Sequence, residues 1–327
     1  MKVLVVGGAG FIGSHMVKGL ALAGDEPIVL DNLGSGFADA ARYGNLLIGD
    51  AGNPSDVAAA LEAYPCDAVM HFASHIQVGE SIVDPAKYYA NNVAATLALL
   101  QVIRGADISQ FIFSSTAAVY GNPGMTPIPE SHALAPINPY GRSKLMVEEV
   151  LADFDAAYGL KSVCLRYFNA AGADPEVELG ERHEPETHLI PLVLQAAAGR
   201  RSDIAVFGRD YPTRDGTCVR DYIHVTDLVE AHRLALGYLG KWGVSNTFNL
   251  GTGVGYTVQE VIDAARRVTG SPITVRDEER RPGDPPELVA DPTKARRELN
   301  WRPHLSDLET MLEHAWRWEL KHHPGQG

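Results

Sequence analysis

The chain has 327 residues, of which 45% are hydrophobic and 21% are charged. These fractions are typical of folded globular proteins and exclude a largely disordered or collagen-like chain. The formal net charge of −13 argues against a general nucleic-acid or anionic-membrane binder, because both functions need a basic face.

Short apolar segments alternate with longer helical patterns through the first half of the chain. We predict strands at 3–6, 28–30, 46–48, 68–71, 111–113 and 163–167. Helices are predicted between them, including one over 86–104 and one over 140–158, each preceded by a proline. Strands that are apolar on both faces and alternate with helices are typical of a doubly wound parallel sheet. The predicted fold class is therefore α/β.

The pattern changes after about residue 171, where proline, glycine and charged residues become frequent. Short apolar runs at 204–207 and 219–225 indicate a smaller, mixed α/β domain. The run 247–250 is predicted to return to the first sheet. We therefore expect a first domain over residues 1–170, with a return near 225–252, and a second domain over residues 171–327.

Cysteine usage and hydropathy predict a cytoplasmic protein. The cysteines Cys66, Cys164 and Cys218 are odd in number and share no close spacing, so neither a disulfide framework nor a metal site is indicated. The chain starts on the apolar run 2–6 instead of a signal-peptide pattern. No apolar run reaches the roughly 18 residues that a membrane helix needs, and we expect no membrane partner.

A glycine-rich turn, Gly7–Gly13, joins the first predicted strand to a helix that begins near Phe11. Glycines in this arrangement permit a tight turn and let backbone N–H groups approach a pyrophosphate at the helix N-terminus. The next strand ends at Asp31, whose carboxylate can accept hydrogen bonds from the adenine ribose and would repel a 2′-phosphate. We therefore predict a Rossmann-type domain that binds NAD. Asp50 ends the third strand and is either an adenine contact or a plain turn residue.

Tyr140 and Lys144 are four residues apart on one predicted helix face. A phenol has a pKa of about 10, and a nearby ammonium lowers that pKa by stabilising the phenolate. Upstream, a predicted strand opens into Ser114-Ser115-Thr116, which places hydroxyl groups at the carboxyl end of the sheet, where doubly wound folds bind ligands. These residue types together predict a proton-transfer site.

These motifs resemble the extended short-chain dehydrogenase/reductase superfamily and, within it, the UDP-glucose 4-epimerase family. The Tyr-x-x-x-Lys element identifies only the superfamily. The segments 166–169, 219–225 and 280–284 are the ones that point to the epimerases. The resemblance covers nearly the whole chain.

The resemblance implies reversible C4 epimerisation of UDP-galactose and UDP-glucose, through a transient 4-keto sugar and enzyme-bound NADH. Tyr140 would remove the proton of the sugar 4-hydroxyl, and Thr116 would hydrogen-bond the same oxygen. Lys144 would hold the nicotinamide ribose and tune Tyr140. The first domain would then bind NAD, and the second would bind the UDP-sugar.

Further site residues follow from the matching motifs. Besides Tyr140 and Lys144, the implied NAD-binding residues are Gly7, Gly10, Phe11, Ile12, Gly13, Asp31, Asn32, Asp50, Ala51, Phe72, Ala73, Asn91, Ser114 and Tyr167. The implied substrate-binding residues are Thr116, Asn169, His188, Leu189, Phe207, Arg220, Arg281, Asp284 and Leu288. Within this second set, Asn169, Arg220 and Arg281 would meet the phosphates. Asp284 would take ribose hydroxyls, and Phe207 would flank the uracil.

The sequence departs from the family at four places. Thr116 stands where the family more often has serine, and threonine keeps the hydroxyl. Ile76 stands where many relatives carry a lysine, so NAD would be held by fewer ionic bonds. Leu288 stands where strict glucose/galactose epimerases often carry tyrosine, and its smaller side chain predicts room for a 2-acetamido group. Leu189 follows His188 where the family commonly has an asparagine, so a substrate contact by His188 stays open.

Three other functions are considered. A 4-epimerase of UDP-GlcNAc, a UDP-pentose or a UDP-uronate would share these motifs. A nucleotide-sugar 4,6-dehydratase would need an Asp-Glu pair where this chain has Ala117-Ala118. A cofactor-binding regulator would be expected to have lost Tyr140 or Lys144. We also expect a homodimer formed through the helices 86–104 and 140–158.

Overall fold

The computed structural model describes residues 1–281 and 283–323. The strands in this part of the chain are β1 (Lys2–Val6), β2 (Glu26–Asp31), β3 (Asn45–Ile48), β4 (Ala68–His71), β5 (Gln110–Thr116), β6 (Lys161–Tyr167), β7 (Asn169–Ala171), β8 (Ile204–Phe207), β9 (Val219–His224), β10 (Asn246–Leu250), β11 (Gly255–Thr257), β12 (Val275–Glu278) and β13 (Glu287–Leu288). The α-helices are α1 (Phe11–Leu22), α2 (Pro54–Ala63), α3 (Val78–Val83), α4 (Pro85–Tyr88), α5 (Ala95–Gly105), α6 (Pro139–Tyr158), α7 (Leu189–Ala197), α8 (Val225–Trp242), α9 (Val258–Thr269), α10 (Thr293–Glu298) and α11 (Leu308–His322).

The large sheet has the strand order β10-β6-β5-β4-β1-β2-β3, and its strands are parallel. Apolar side chains cover both faces: one buried cluster includes α1 and α8, and the other includes α2, α5 and α6. The strand order reverses at β1, which lies between β2 and β4, and ligands of such sheets bind at the carboxyl ends of the strands there. The predicted α/β, Rossmann-type fold class is confirmed.

The chain leaves this sheet after β6 and returns to it with β10, which pairs with β6. The return therefore lies where the apolar run 247–250 predicted it. The remaining strands form smaller sheets, in which β9 pairs with β7, β11 and β13, and β8 pairs with β12. A separate apolar cluster joins α7, α9 and α11 to them. The domain limits of 1–170 and 171–327 stay a prediction.

The helix predicted over 86–104 is interrupted. A π-helix over Tyr89–Ala94 separates α4 from α5. Asn92 in this segment is buried, and its amide nitrogen donates to Ser143 Oγ on α6 at 3.0 Å. Apolar periodicity cannot predict this interruption, because it depends on a polar contact with a distant helix.

The longest of the helices described, α6, is delimited by local signals. Asn138 precedes it and accepts a hydrogen bond from the backbone N–H of Gly141 at 2.8 Å. Pro139 occupies the first turn, and Gly159 ends the helix with a positive φ of +74°. Within the described residues, none of the helices is both long enough and apolar enough to span a bilayer.

Candidate active site

The glycine-rich turn after β1 packs tightly against the segment that follows β4. Gly7 has a φ of +79°, and a Cβ there would lie 2.5 Å from the backbone nitrogen of Ala73. A Cβ on Gly13 would lie 2.1 Å from the carbonyl oxygen of Gly7. Both positions require glycine, because the atoms that a side chain would meet belong to the backbone.

The same turn leaves room for a ligand at the start of α1. A Cβ on Gly10 would have its nearest neighbour, the Gly7 carbonyl oxygen, at an ordinary 3.5 Å. No side chain of the described residues caps this helix, whose first turn contains Phe11 and Ile12. Free N–H groups at a helix N-terminus bind phosphate groups. The turn therefore fits the pyrophosphate of NAD.

Asp31 holds the turn in place from the end of β2. Its buried carboxylate accepts hydrogen bonds from the backbone N–H groups of Ala9 at 2.9 Å and Leu33 at 2.8 Å. Each carboxylate oxygen has a second lone pair and can accept another hydrogen bond. Binding of ribose hydroxyls by Asp31 is compatible with this geometry.

Asn32 and Asp50 lie together beyond the ends of β2 and β3. The side-chain amide of Asn32 donates to Asp50 Oδ2 at 3.2 Å, and the backbone N–H of Gly52 donates to Asp50 Oδ1 at 2.7 Å. Asp50 is thus a turn residue, and its neighbour Ala51 is half-buried. Asp50 also lies at the sheet edge where its contact with the adenine was predicted.

Thr116 and Tyr140 meet at the carboxyl end of β5. Thr116 is the last residue of the strand, and Tyr140 lies in the first turn of α6. Burial raises the pKa of the Tyr140 phenol, and a side-chain hydrogen bond with Thr116 lowers it by a smaller amount. The structure therefore places two of the three predicted catalytic side chains next to one another.

Lys144 lies one turn further along α6 and is almost completely buried, with 1% exposure. Its ammonium group donates to Ser74 Oγ at 2.6 Å and to the carbonyl oxygen of Ser114 at 2.9 Å. Burial lowers the pKa of Lys144 to about 7, against an opposing effect of the Glu148 carboxylate. In the protein chain on its own, burial keeps the pKa of Tyr140 raised, and the lowering of that pKa by Lys144 stays a prediction.

Other predicted NAD-binding residues also form hydrogen bonds near the carboxyl edge of the large sheet. The hydroxyls of Ser114 and Tyr167 share a hydrogen bond. The backbone N–H of Phe72 donates to the carbonyl of Val6 at 2.7 Å, and the side chain of Asn91 donates to Asn92 Oδ1 at 3.0 Å. They come from β4, β5, β6 and the π-helix, so the large sheet gathers residues that are far apart in the sequence.

Sequence reasoning missed Ser74 and Asn92. Ser74 binds the Lys144 ammonium. Asn92 accepts from the backbone N–H of His75 at 2.9 Å, and its amide donates to the His75 carbonyl at 3.0 Å. The available signals were the position of Ser74 just after a strand and the polar pair 91–92 inside an apolar helical pattern.

The predicted substrate residues of the second domain form two contacting pairs. Arg220 on β9 forms an ion pair with Asp284, and the Arg220 side chain is only 13% exposed. Leu288 on β13 lies opposite Arg220 in the strand register. The guanidinium of Arg281 lies 3.8 Å from the centre of the Phe207 ring. In each pair, two side chains that were predicted to bind the nucleotide contact one another.

The other three predicted substrate residues, Asn169, His188 and Leu189, do not belong to these two pairs. Asn169 begins β7 and is paired with Tyr222 of β9. Leu189 begins α7, and Nδ1 of His188 just before it contacts the Glu181 carboxylate. Only Nε2 of His188 is therefore open to a sugar. Ile76 is 37% exposed, near the segment that follows β4.

Comparison with known proteins assigns this arrangement to a family. A family model described as the NAD dependent epimerase/dehydratase family matches residues 3–251, which include the glycine turn, Thr116, Tyr140 and Lys144. The chain belongs to this family.

Individual members of the family are similar to this chain over almost its whole length. A UDP-glucose 4-epimerase of Halalkalibacterium halodurans is 50% identical, with 99% of this chain and 97% of the relative covered. The crystal structure of UDP-glucose 4-epimerase from Brucella ovis in complex with NAD is 51% identical, with 97% of both chains covered and a TM-score of 0.94. A UDP-Glc/GlcNAc 4-epimerase from Campylobacter jejuni is 44% identical, covers 98% of this chain and 99% of that one, and has a TM-score of 0.85.

These findings confirm the predicted resemblance, the prediction of an NAD-dependent epimerase and the prediction of NAD as its cofactor. The roles of individual side chains stay predictions. They rest on the contacts described above.

Proposed function

We propose that this protein interconverts UDP-galactose and UDP-glucose by inverting C4 through a transient 4-keto sugar. The observation that supports this proposal is the placement of Tyr140 and the buried Lys144 one turn apart on α6, next to Thr116 at the carboxyl end of β5. The glycine turn at the start of α1 lies at the same edge. A proton-transfer pair next to a dinucleotide-binding turn is suited to the oxidation and reduction of a carbon that carries a hydroxyl group.

The chain's own residues hold NAD and move a proton. The glycine turn receives the pyrophosphate, Asp31 takes ribose hydroxyls, and Lys144 holds the nicotinamide ribose. Bound NAD⁺ would supply the hydride acceptor for oxidation of C4 and, as NADH, the hydride donor for its reduction, so there would be no net redox change.

Tyr140 acts on the 4-hydroxyl oxygen. As phenolate it takes the hydroxyl proton while the C4–O bond becomes a carbonyl, and it returns that proton to the same oxygen when the carbonyl is reduced. Thr116 donates a hydrogen bond that favours the phenolate, which counters the raised pKa that burial imposes. The positive charge of Lys144 and of the bound cofactor acts in the same direction.

The nucleotide binds along the second domain. Arg220, Arg281 and Asn169 meet the diphosphate, Asp284 takes the ribose hydroxyls, and Phe207 flanks the uracil. Asp284 partly neutralises the positive charge of Arg220, and the N–H donors of Arg220 that remain bind the phosphates. His188 and Leu189 border the sugar, with the Nε2 of His188 as the polar group.

Two observations bear on the competing activities. Ala117 and Ala118 form a short 3₁₀ helix with Val119 and Tyr120 directly after Thr116, so this position carries no acid–base pair for dehydration. Leu288 packs against an apolar cluster that contains Ile128. Its size favours acceptance of UDP-GlcNAc and UDP-GalNAc as additional substrates, and the Campylobacter jejuni relative is a UDP-Glc/GlcNAc 4-epimerase.

The protein works as a cytoplasmic homodimer in this proposal. The dimer forms through α5 and α6, where the apolar side chains of Leu97 and Met146 are 37% and 40% exposed. Two such helices from each protomer can pair across a two-fold axis. Light scattering of the purified protein measures the assembly directly.

The test of the proposed function is turnover of UDP-galactose by wild-type protein and Tyr140→Phe. We expect wild-type protein to form UDP-glucose, and the variant to lose about 10²–10⁴-fold in kcat. Tyr158→Phe, at the exposed end of the same helix, is the matched control and should keep wild-type kcat. Unchanged turnover by Tyr140→Phe would exclude the proton transfer assigned to Tyr140.

A further inference from the structure

A second group of polar side chains converges in the segment before α7. Glu181, His183, Glu186 and His188 lie between β7 and α7, and one potential ligand atom from each lies within 4.8 Å of the others. The side chains of Glu181 and Glu186 are only 5% and 7% exposed. The group contains no cysteine, which is why cysteine spacing did not indicate it.

The separations between His183 and the two carboxylates suit a small divalent cation, which would also replace the direct contact between Nδ1 of His188 and Glu181. Nδ1 of His183 lies 3.2 Å from Glu181 Oε1 and 3.5 Å from Glu186 Oε2. In a tetrahedral zinc site with metal–ligand distances of about 2.0–2.2 Å, adjacent ligand atoms lie about 3.3–3.6 Å apart. Within residues 1–281 and 283–323, this buried ring nitrogen makes no hydrogen bond. This nitrogen therefore lies within ion-pair distance of two carboxylates without a hydrogen bond to either.

We propose that Glu181, His183, Glu186 and His188 bind a divalent transition-metal cation, preferably zinc. Two imidazoles and two carboxylates are donors that zinc accepts, whereas magnesium and calcium select oxygen ligands. With both imidazoles neutral the four ligands carry a net charge of −2, which one such cation neutralises. His188 binds through Nδ1, so its Nε2 stays free for a substrate.

The metal has a structural role, because four protein ligands complete a tetrahedral site and leave no position open for a substrate. The ligand segment already contacts other parts of the protein. Arg182 donates to both carboxylate oxygens of Asp39 at 2.9 Å. The indole N–H of Trp318 on α11 donates to the Glu181 carbonyl at 3.2 Å. A cation at this point fixes the segment between the first domain and the last helix.

A second cluster provides an internal control. Asp174, Glu176 and Glu178 also lie close together. The ammonium of Lys18 already lies among them, at 2.7–2.9 Å from all three carboxylates. The Lys18 ammonium therefore neutralises part of the charge of this cluster, which needs no metal ion. Glu176, whose side chain is 74% exposed, is the position for a matched substitution.

The experiment uses full-length protein treated with chelator, dialysed and titrated with zinc sulfate. We expect one zinc ion per chain by elemental analysis, and a rise in Tm of about 3–6 °C at a free zinc concentration 100-fold above Kd. Glu186→Gln removes a charged ligand and should weaken zinc binding at least tenfold. Glu176→Gln should bind zinc as the wild type does.

Cobalt(II) gives a second measurement that needs no variant. Wild-type protein loaded with cobalt should show the intense visible absorption of a tetrahedral ion, and zinc should abolish it. No zinc uptake, no tetrahedral cobalt spectrum, or equal zinc affinity in the wild type and Glu186→Gln would each overturn the proposal. Equal affinity would assign the uptake to other surface groups.

Discussion

In the proposed mechanism, a hydrogen bond from Thr116 favours the phenolate form of Tyr140. Because that bond lowers the pKa of Tyr140 against the effect of burial, Thr116→Ala should raise it. The phenolate is the active form, so the rising limb of kcat/KM against pH should move to higher pH. We expect a loss in kcat at neutral pH of roughly 10–100-fold, the worth of a hydrogen bond to a charged group.

The control for this prediction is Thr116→Ser, which keeps the hydroxyl and should keep the wild-type pH profile. Comparable profiles for the alanine and serine variants would contradict the role given to the Thr116 hydroxyl.

Leu288 sets the size of the sugar pocket in this account. Leu288→Tyr should leave the kcat/KM for UDP-galactose within about threefold of the wild type and lower the value for UDP-GalNAc at least tenfold, a steric penalty above about 1.4 kcal/mol. Parallel assays with both sugars measure the ratio directly. A wild-type enzyme that does not turn over UDP-GalNAc would remove the predicted N-acetyl tolerance.

At the scale of single residues, the sequence predicted which side chains meet but not their electrostatics. Thr116, Tyr140 and Lys144 could be placed at one edge because parallel strands share their carboxyl ends. The lowered pKa of Lys144 could not be predicted, because it arises from burial that only the packed structure creates. The same holds for Ser74, whose bond to Lys144 joins segments 70 residues apart.

Helix α6 is fixed to the large sheet by a buried ion pair. Glu148 accepts hydrogen bonds from Arg166 on β6 at 2.5–3.2 Å, and from Ser115 Oγ at 2.5 Å. The guanidinium also donates to the Tyr120 hydroxyl at 3.0 Å. Since Tyr140 and Lys144 lie on the same helix, this pair sets their position relative to the end of β5.

Glu148→Ala should therefore leave the Arg166 charge buried and unpaired. We expect the free energy of unfolding to fall by about 3–5 kcal/mol, measured by urea denaturation. Glu149→Ala is the control, because its side chain is exposed on the same helix and its loss should change stability by less than about 0.5 kcal/mol. Equal effects of the two substitutions would show that the ion pair does not anchor α6.

At the scale of elements, apolar runs predicted the strands of the large sheet, including the return of β10. The helix predicted over 140–158 from the preceding Pro139 is confirmed as α6. Short strands such as β7 and β13 have no periodicity to detect. They form because β9 offers them backbone partners.

At the scale of the whole molecule, the site needs both parts of the chain. The cofactor turn and Tyr140 belong to the large sheet, whereas Arg220 and Asp284 belong to the smaller sheets. The Arg220–Asp284 ion pair joins residues 64 positions apart, and motifs placed each of them near the nucleotide without predicting that they bind one another. Motifs predict what a residue can contact, and packing decides which contact it makes.

The central claim is that the hydride removed from C4 returns to the same carbon. The most direct measurement uses UDP-galactose labelled with deuterium at C4, incubated with the protein and NAD⁺ in ordinary water. We predict UDP-glucose that retains deuterium at C4, with no steady accumulation of reduced nicotinamide. Loss of the label to solvent, continuous formation of reduced nicotinamide, or a 4-keto-6-deoxy product would contradict the account.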